Sequence, residues 1–181
     1  MIYEIIQIIT EQVNNYLDQN GLEKSVVAGN IAWAEVQKNT SAALEDKTVL
    51  TLIRIEEDKA LKNIPNYVAE SSKTLYKSND QSIILYLIFS ANRNAYVNSL
   101  NEISKINTFF QEKSLFTQAN TLYSNANDVM KNIKSFRFTV TVYTPEFEEL
   151  NHIWGTLGGR QLPSLLYKVS HVEMEFNSTQ V

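Results

Sequence analysis

The chain has 181 residues, 44% apolar and 20% charged, the usage of a globular chain with one core rather than of a disordered or fibrous one. A net charge of -4, a pI near 5.3 and the lack of any long basic run argue against a nucleic-acid footprint, which needs clustered Lys and Arg. Cysteine is absent, which removes disulfides, thiolate nucleophiles and Cys-ligated metals together.

Ile2, Ile5, Ile6, Ile9, Val13, Tyr16 and Leu17 recur at helical spacing, with Glu4, Gln7, Glu11 and Asn14 on the opposite face. This predicts an amphipathic helix that Asn20-Gly21 ends, glycine supplying the left-handed turn. Ser25 to Ala28 reads as a short strand, Gly29-Asn30 as a break, Ile31 to Val36 as a second strand and Lys38 to Asp46 as a loop. Thr48 to Glu57 is dense in apolar residues, the mark of a central strand covered on both faces. From Lys59 to Asp80 periodicity fails. That stretch, with Pro65 and several Asn and Ser, is longer than an ordinary connection and reads as an arm or interface loop in the form of an extended hairpin.

Ser82 to Ala91 is a second strong strand and Asn92 to Asn94 a turn. Tyr96, Val97, Leu100, Ile103, Ile106, Asn107 and Phe110 mark a second amphipathic helix ending near Gln111. Leu115 to Thr117 reads as a short edge strand. Ser135 to Tyr143 alternates cleanly, Phe136, Phe138, Val140 and Val142 on one face and Arg137, Thr139, Thr141 and Tyr143 on the other. Thr144 suits an N-cap and Pro145 a first helical position, and Phe147, Leu150, Ile153, Trp154 and Leu157 form a stripe expected to be buried. Gly158-Gly159 closes that helix, a strand follows from about Leu165 to Phe176, and residues 177–181 form a frayed tail. The order predicts an α/β (α+β) fold: one domain over residues 1–181, a mixed sheet, and helices packed mainly on one face.

Groups that could run a reaction are sparse. His152 and His171 lie far apart and outside any metal-ligand spacing, so a solvated helix residue and a structural strand residue are the expectations. Glu56-Glu57-Asp58 reads as a solvated strand end, because adjacent strand residues point to opposite faces and do not converge on an ion. Glu146, Glu148 and Glu149 are accounted for by the positive end of a helix. Gly158-Gly159 follows a helix instead of opening one, so it presents no helix N-terminus to a phosphate. Phe136 and Phe138 resemble a single-strand nucleic-acid platform in spacing, but a one-sided core requires the same alternation. No catalytic residue, cofactor or metal is expected. Met1-Ile2-Tyr3-Glu4 has no signal-peptide pattern, and the run from Ile83 to Ala91 is about half a membrane span, so synthesis in the cytoplasm without membrane insertion is expected.

Several segments, taken in this order, carry a family resemblance: Met1 to Thr10; Val26-Val27-Ala28-Gly29-Asn30-Ile31-Ala32; Val49-Leu50-Thr51-Leu52-Ile53-Arg54-Ile55-Glu56-Glu57; Asn63-Ile64-Pro65-Asn66-Tyr67; Leu85-Tyr86-Leu87-Ile88-Phe89-Ser90-Ala91-Asn92; and Trp154 to Val169. The chain resembles the cap, or tail-terminator, proteins of phage-tail-like contractile injection systems, in their N-terminal-domain family. The resemblance implies a structural part without catalysis: a homo-hexameric ring at the distal end of a particle that can be released from the cell. Such a ring stops growth of the inner tube, holds the last sheath ring and couples the two during contraction. Some members carry a further C-terminal region, so a second cap subunit is a partner to consider for any sheath contact made there. Pro65, Asn66 and Tyr67, with Arg160 and Gln161, are the candidate subunit or partner contacts. A baseplate or adaptor subunit of the same particle is the alternative, and a small-molecule enzyme with an unrecognised site the third reading.

Overall fold

The computed structural model describes residues 1–34, 44–58, 83–124 and 128–177, and the backbone of residues 67–70 and 73–76. In chain order the elements are α1 (Ile2–Gln19), β1 (Val26–Ala28), a 3₁₀ turn (Ile31–Trp33), β2 (Lys47–Glu57), β3 (Tyr67–Glu70), β4 (Lys73–Tyr76), β5 (Ile83–Asn92), α2 (Tyr96–Glu112), β6 (Leu115–Thr117), α3 (Asp128–Lys131), β7 (Ile133–Tyr143), α4 (Phe147–Thr156) and β8 (Ser164–Phe176). Six strands form one sheet in the order β1-β2-β5-β8-β7-β6. Among the described residues only β1 and β2 run parallel and every other neighbour in this sheet is antiparallel, so the sheet is mixed as expected.

The sheet separates two cores because β5 is apolar on both faces. Leu85, Leu87 and Phe89 face α1 and α2, where Ile5, Ile9, Val13, Ile106, Phe109 and Phe110 close the larger core. Ile88 faces the other way, towards Trp154 of α4, Val49, Leu166 and Ile31 of the 3₁₀ turn. The two long helices thus share one face and the shorter α4 lies on the other, which agrees with helices packed mainly on one side. Phe136 and Phe138 are core residues: both are buried, and Phe138 stacks on Phe116 with ring centroids 5.1 Å apart. His171 sits in β8 at φ 51° where the β7–β8 register shifts, a left-handed position that histidine tolerates better than most residues.

Most predicted ends hold. Gly21, at φ 75°, closes α1 with its amide donating to the Asp18 carbonyl while the Leu22 amide donates to Leu17, satisfying two otherwise orphaned carbonyls. Gly158 and Gly159 both have positive φ, and the Gly159 amide donates to the Trp154 carbonyl at 2.7 Å. Several expectations change. Ile31–Trp33 is a 3₁₀ turn and not a strand, because the Asn30 side chain accepts from the Ala32 amide and Ile31 donates to Thr51 Oγ1 instead of to a ladder; residues 35 and 36 lie outside the described residues. Glu4 is buried instead of on a solvated face, paired with the N-terminal amino group, and Ile8 joins the buried stripe. α4 begins at Phe147 with Glu146 as its cap position, later than Thr144-Pro145 suggests. Finally, β2 is covered on both faces only over its first half: β1 pairs with Thr48 to Leu50 alone, and Arg54, Ile55 and Glu57 are exposed.

Candidate functional site

The first half of α2 does not bury the residues that periodicity selects. Tyr96, Val97 and Leu100 are 66%, 73% and 47% exposed, whereas Ser99 and Glu102 are buried. A buried polar network explains the inversion. Ser25 Oγ donates to Glu102 Oε1 at 2.9 Å and Thr48 Oγ1 donates to Glu102 Oε2. Arg93, in the turn between β5 and α2, holds Nε 3.2 Å from Glu102 Oε1 and 3.5 Å from Asp46 Oδ1. Its guanidinium also donates to the Asp46 carbonyl and approaches Glu23 at 3.4 Å. Ser99 Oγ donates to the Ala91 carbonyl. A buried carboxylate without partners costs several kcal/mol, on the order of 3–5. That is more than ~1.5–3 kcal/mol for burying one aliphatic side chain. The helix therefore rotates its polar residues inward wherever the partners wait, and its apolar flank meets solvent.

That flank forms one wall of an open groove of about 1120 Å³. Tyr96 and Leu100 come from α2, Val142 and Tyr143 from the end of β7, Phe147 and Leu150 from the start of α4, and Leu162, Pro163 and Leu165 from the approach to β8. Val142 is 60% and Phe147 88% exposed, so two more residues expected to be buried lie open here. Val142 has the correct alternation for the core but stands past the end of α2's cover; Phe147 is the first residue of α4 and reaches beyond the sheet. Among the described residues, Glu146 and Glu148 are the charged residues of the lining, and it holds no Lys or Arg. Beside it, Tyr143 donates to Glu149 at 2.6 Å and meets Tyr86 edge-on at 5.3 Å. The hydrogen bond to the Glu149 carboxylate, with burial second, pushes the Tyr143 phenol up to about 12.

Gln161 lines this groove, while its neighbour Arg160 lines a separate small cleft with Ile31, Ala32 and Asn92. Tyr67 opens β3 and is paired in register with Tyr76; Pro65 and Asn66 lie outside the described residues. His152 is exposed, its Nε2 4.0 Å from Glu148. Sequence reasoning missed Tyr96, Leu100, Val142 and Phe147 as surface residues. The available signal was Glu102, a carboxylate on the stripe that continues through Ile106, Phe109 and Phe110. Among the described residues the groove offers apolar area beside two carboxylates and gathers no nucleophile, base and oxyanion donor. Among the described residues no three His, Asp or Glu side chains cluster as metal ligands, and no helix is long and apolar enough to cross a membrane.

Among solved structures, the fold is similar to a chain described as the sheath/tube terminator, in the extended state, of PVC, an extracellular contractile injection system. The TM-score is 0.57 at 14% identity, over 100% of this chain and 61% of that one. This chain thus spans under two thirds of that neighbour's length. No curated protein matches. A family model described as the Pvc16 N-terminal domain matches residues 4–181, and the chain belongs to that family.

Proposed function

We propose that this protein is a structural tail terminator of a contractile injection system, without catalysis, with residues 1–181 as one terminator domain. Copies associate into a homo-hexameric ring at the distal end of the particle. The ring occupies the growing end of the inner tube, offers no matching surface for another tube ring, and holds the last sheath ring so that tube and sheath stay coupled during contraction. A second cap subunit is the partner expected wherever the sheath contact lies outside this chain. The protein is made in the cytoplasm and leaves with the particle. Family membership over residues 4–181 is the observation that carries this reading. The apolar groove supports it, since a ring subunit needs exposed apolar area for its neighbours. The contact residues proposed are Pro65, Asn66 and Tyr67 on the arm, and Arg160 and Gln161 at the turn into β8.

Electron microscopy of particles from a strain lacking the protein tests this. Tubes and sheaths of unregulated length, with disordered distal ends restored by the wild-type chain, are expected. Particles with normal distal ends and length would refute it. Label on the bound protein at the baseplate end would instead identify an adaptor.

A further inference from the structure

We infer that β2 of one copy adds to β7 of a neighbouring copy, joining their sheets edge to edge, an inference that rests on the ring reading above. The two outermost strands are closed to such pairing. On β1 the Val26 amide donates to Asn14 Oδ1 at 3.0 Å and Asn14 Nδ2 donates to the Val26 carbonyl at 2.8 Å. On β6 the Thr117 amide donates to Asn120 Oδ1 at 2.8 Å and Asn120 Nδ2 donates to the Leu115 carbonyl at 3.0 Å. Each asparagine amide stands where a further strand would bond, the kind of blunting that exposed edges need. Both outer strands are three residues long, and the strands behind them run further. β1 stops opposite Leu50 and β6 opposite Thr139. Beyond those points, among the described residues, no strand lies outside Ile55 of β2 or Val142 of β7. The main chain of both residues points outward. Val140 donates its amide to the Ser114 carbonyl beside β6, so Val142, two residues on, turns the same way. In β5 the Ala91 amide donates to Pro163 on the β8 side, so Tyr86 and Ile84 bond β2; their partners Arg54 and Glu56 turn inward and Ile55 between them turns out. Such an open edge accepts an added strand.

The two edges match in sense, in face and in charge. β2–β5, β5–β8 and β8–β7 are each antiparallel, so β2 and β7 run in opposite directions, and a sheet continued from copy to copy pairs them antiparallel. In the register that sets Ile55 against Val142, Arg54 falls opposite Tyr143 and Glu56 opposite Thr141. Ile55 and Val142 then share the face that carries α1 and α2, since within one copy their partners are Leu85 and Tyr167 of the larger core. Both are more than half exposed, and Tyr96 and Leu100 lie with Val142 in the groove wall, so the seam buries apolar side chains that otherwise meet water. Arg54 and Tyr143 share the opposite face: Arg54 pairs with Tyr86, whose ring meets that of Tyr143. The Arg54 side chain is 66% exposed, with Nη2 3.5 Å from Glu56. Across the seam it meets the Tyr143 ring and Glu149, which accepts the Tyr143 hydroxyl proton, with Glu146 and Glu148 beside them at the start of α4. A guanidinium against an aromatic ring and carboxylates is a complementary contact. Each copy thus offers one edge at either margin of its sheet, and a heterologous contact of that kind repeats from copy to copy and closes into a ring.

Within one copy Ile55 and Val142 stand three strand spacings apart, about 14 Å, beyond the Cα separation of ~4.4–6.8 Å that a disulfide spans. A disulfide between cysteines at these positions therefore joins two copies, and the cysteine-free sequence supplies no other thiol. Full-length Ile55→Cys and Val142→Cys variants, one of them tagged to shift its size, are mixed, oxidised and run without reductant. Trp33→Cys, exposed at a different place, replaces Val142→Cys in the control. A mixed dimer in the first case and none in the control is expected. Arg54→Glu in the Ile55→Cys chain should lower its yield roughly twofold to fivefold, and Glu149→Arg in the Val142→Cys chain should restore it. Ile55→Cys linked to itself, with no mixed dimer, would mean a symmetric pair of β2 edges and overturn the inference. Wild-type rings in negative stain without the mixed dimer would overturn the seam and leave the ring reading standing. Wild-type protein that stays monomeric and gives no mixed dimer overturns both.

Discussion

The two halves of α2 obey different rules. From Ile106 to Phe110 the helix buries its apolar stripe against Phe89, Phe116 and Tyr167, with Phe110 and Tyr167 ring centroids 4.3 Å apart. From Tyr96 to Glu102 the same helix buries serine and glutamate and leaves tyrosine, valine and leucine in water. The difference shows that apolar periodicity selects the inner face only where no set of buried donors competes for it. Here Ser25, Thr48 and Arg93 win the contest, and the displaced apolar side chains stay exposed on the surface.

The comparison breaks most visibly if its aromatic half is emptied. Phe110→Ala should lower stability by about 3–5 kcal/mol, the cost of a large cavity in a closed core. Denaturant unfolding measures it. Glu102→Ala strikes the other half with a smaller effect, about 2–3 kcal/mol, because the Ser25 and Thr48 hydroxyls lose their buried acceptor while Arg93 keeps Asp46 and Glu23. Replacing Glu102 and Arg93 together by Met should recover part of that loss; a double variant as unstable as the sum of its singles would show that the pair is not the unit. Trp154→Ala, in the smaller core, is expected to cost about 3–5 kcal/mol, whereas Trp154→Phe should cost under about 1.5. Its indole N–H, buried with no hydrogen-bond partner among the described residues, has no such bond there to lose. Leu100→Gln should change the stability of the isolated chain by no more than about 0.5 kcal/mol while weakening self-association, read by analytical ultracentrifugation. A large loss of stability there would mean that the flank is core after all.

The smallest effect lies in alkali. The Tyr143 phenol is pushed up to about 12 in the folded chain against 10.0 for an unperturbed tyrosine, so the folded state holds its proton longer. Its contribution is complete below pH 10 and lost as pH rises towards 12. Tyr143→Phe should flatten that part of the stability profile, and one phenolate fewer should appear in an ultraviolet titration above pH 11.

Much of the fold was legible. The apolar density of Ile83 to Phe89 marks the strand that both cores share, and Gly21 and Gly158-Gly159 mark real helix ends. The aromatic alternation in β7 was rightly assigned to the core as far as Val140. The groove was not legible, because exposure at Val142 and Phe147 depends on where α2 stops covering the sheet, a long-range fact. Ile31 to Trp33 misled for a local reason: three apolar residues fit a strand or a turn equally well, and the Asn30 side chain decides. Of the candidate contacts, Gln161 lies on the groove, Arg160 lines a separate cleft and Tyr67 opens β3, while Pro65 and Asn66 fall outside the described residues.

Arg93 has a mechanical consequence. One guanidinium grips the residue before β1's approach (Glu23), the corner into β2 (Asp46) and the body of α2 (Glu102), segments 70, 47 and 9 positions away in sequence. A force on the solvent flank of α2 would pass through that knot towards the β1 margin of the sheet. Under load the domain would then move as a unit, like a strut with a riveted joint, instead of shearing strand from strand.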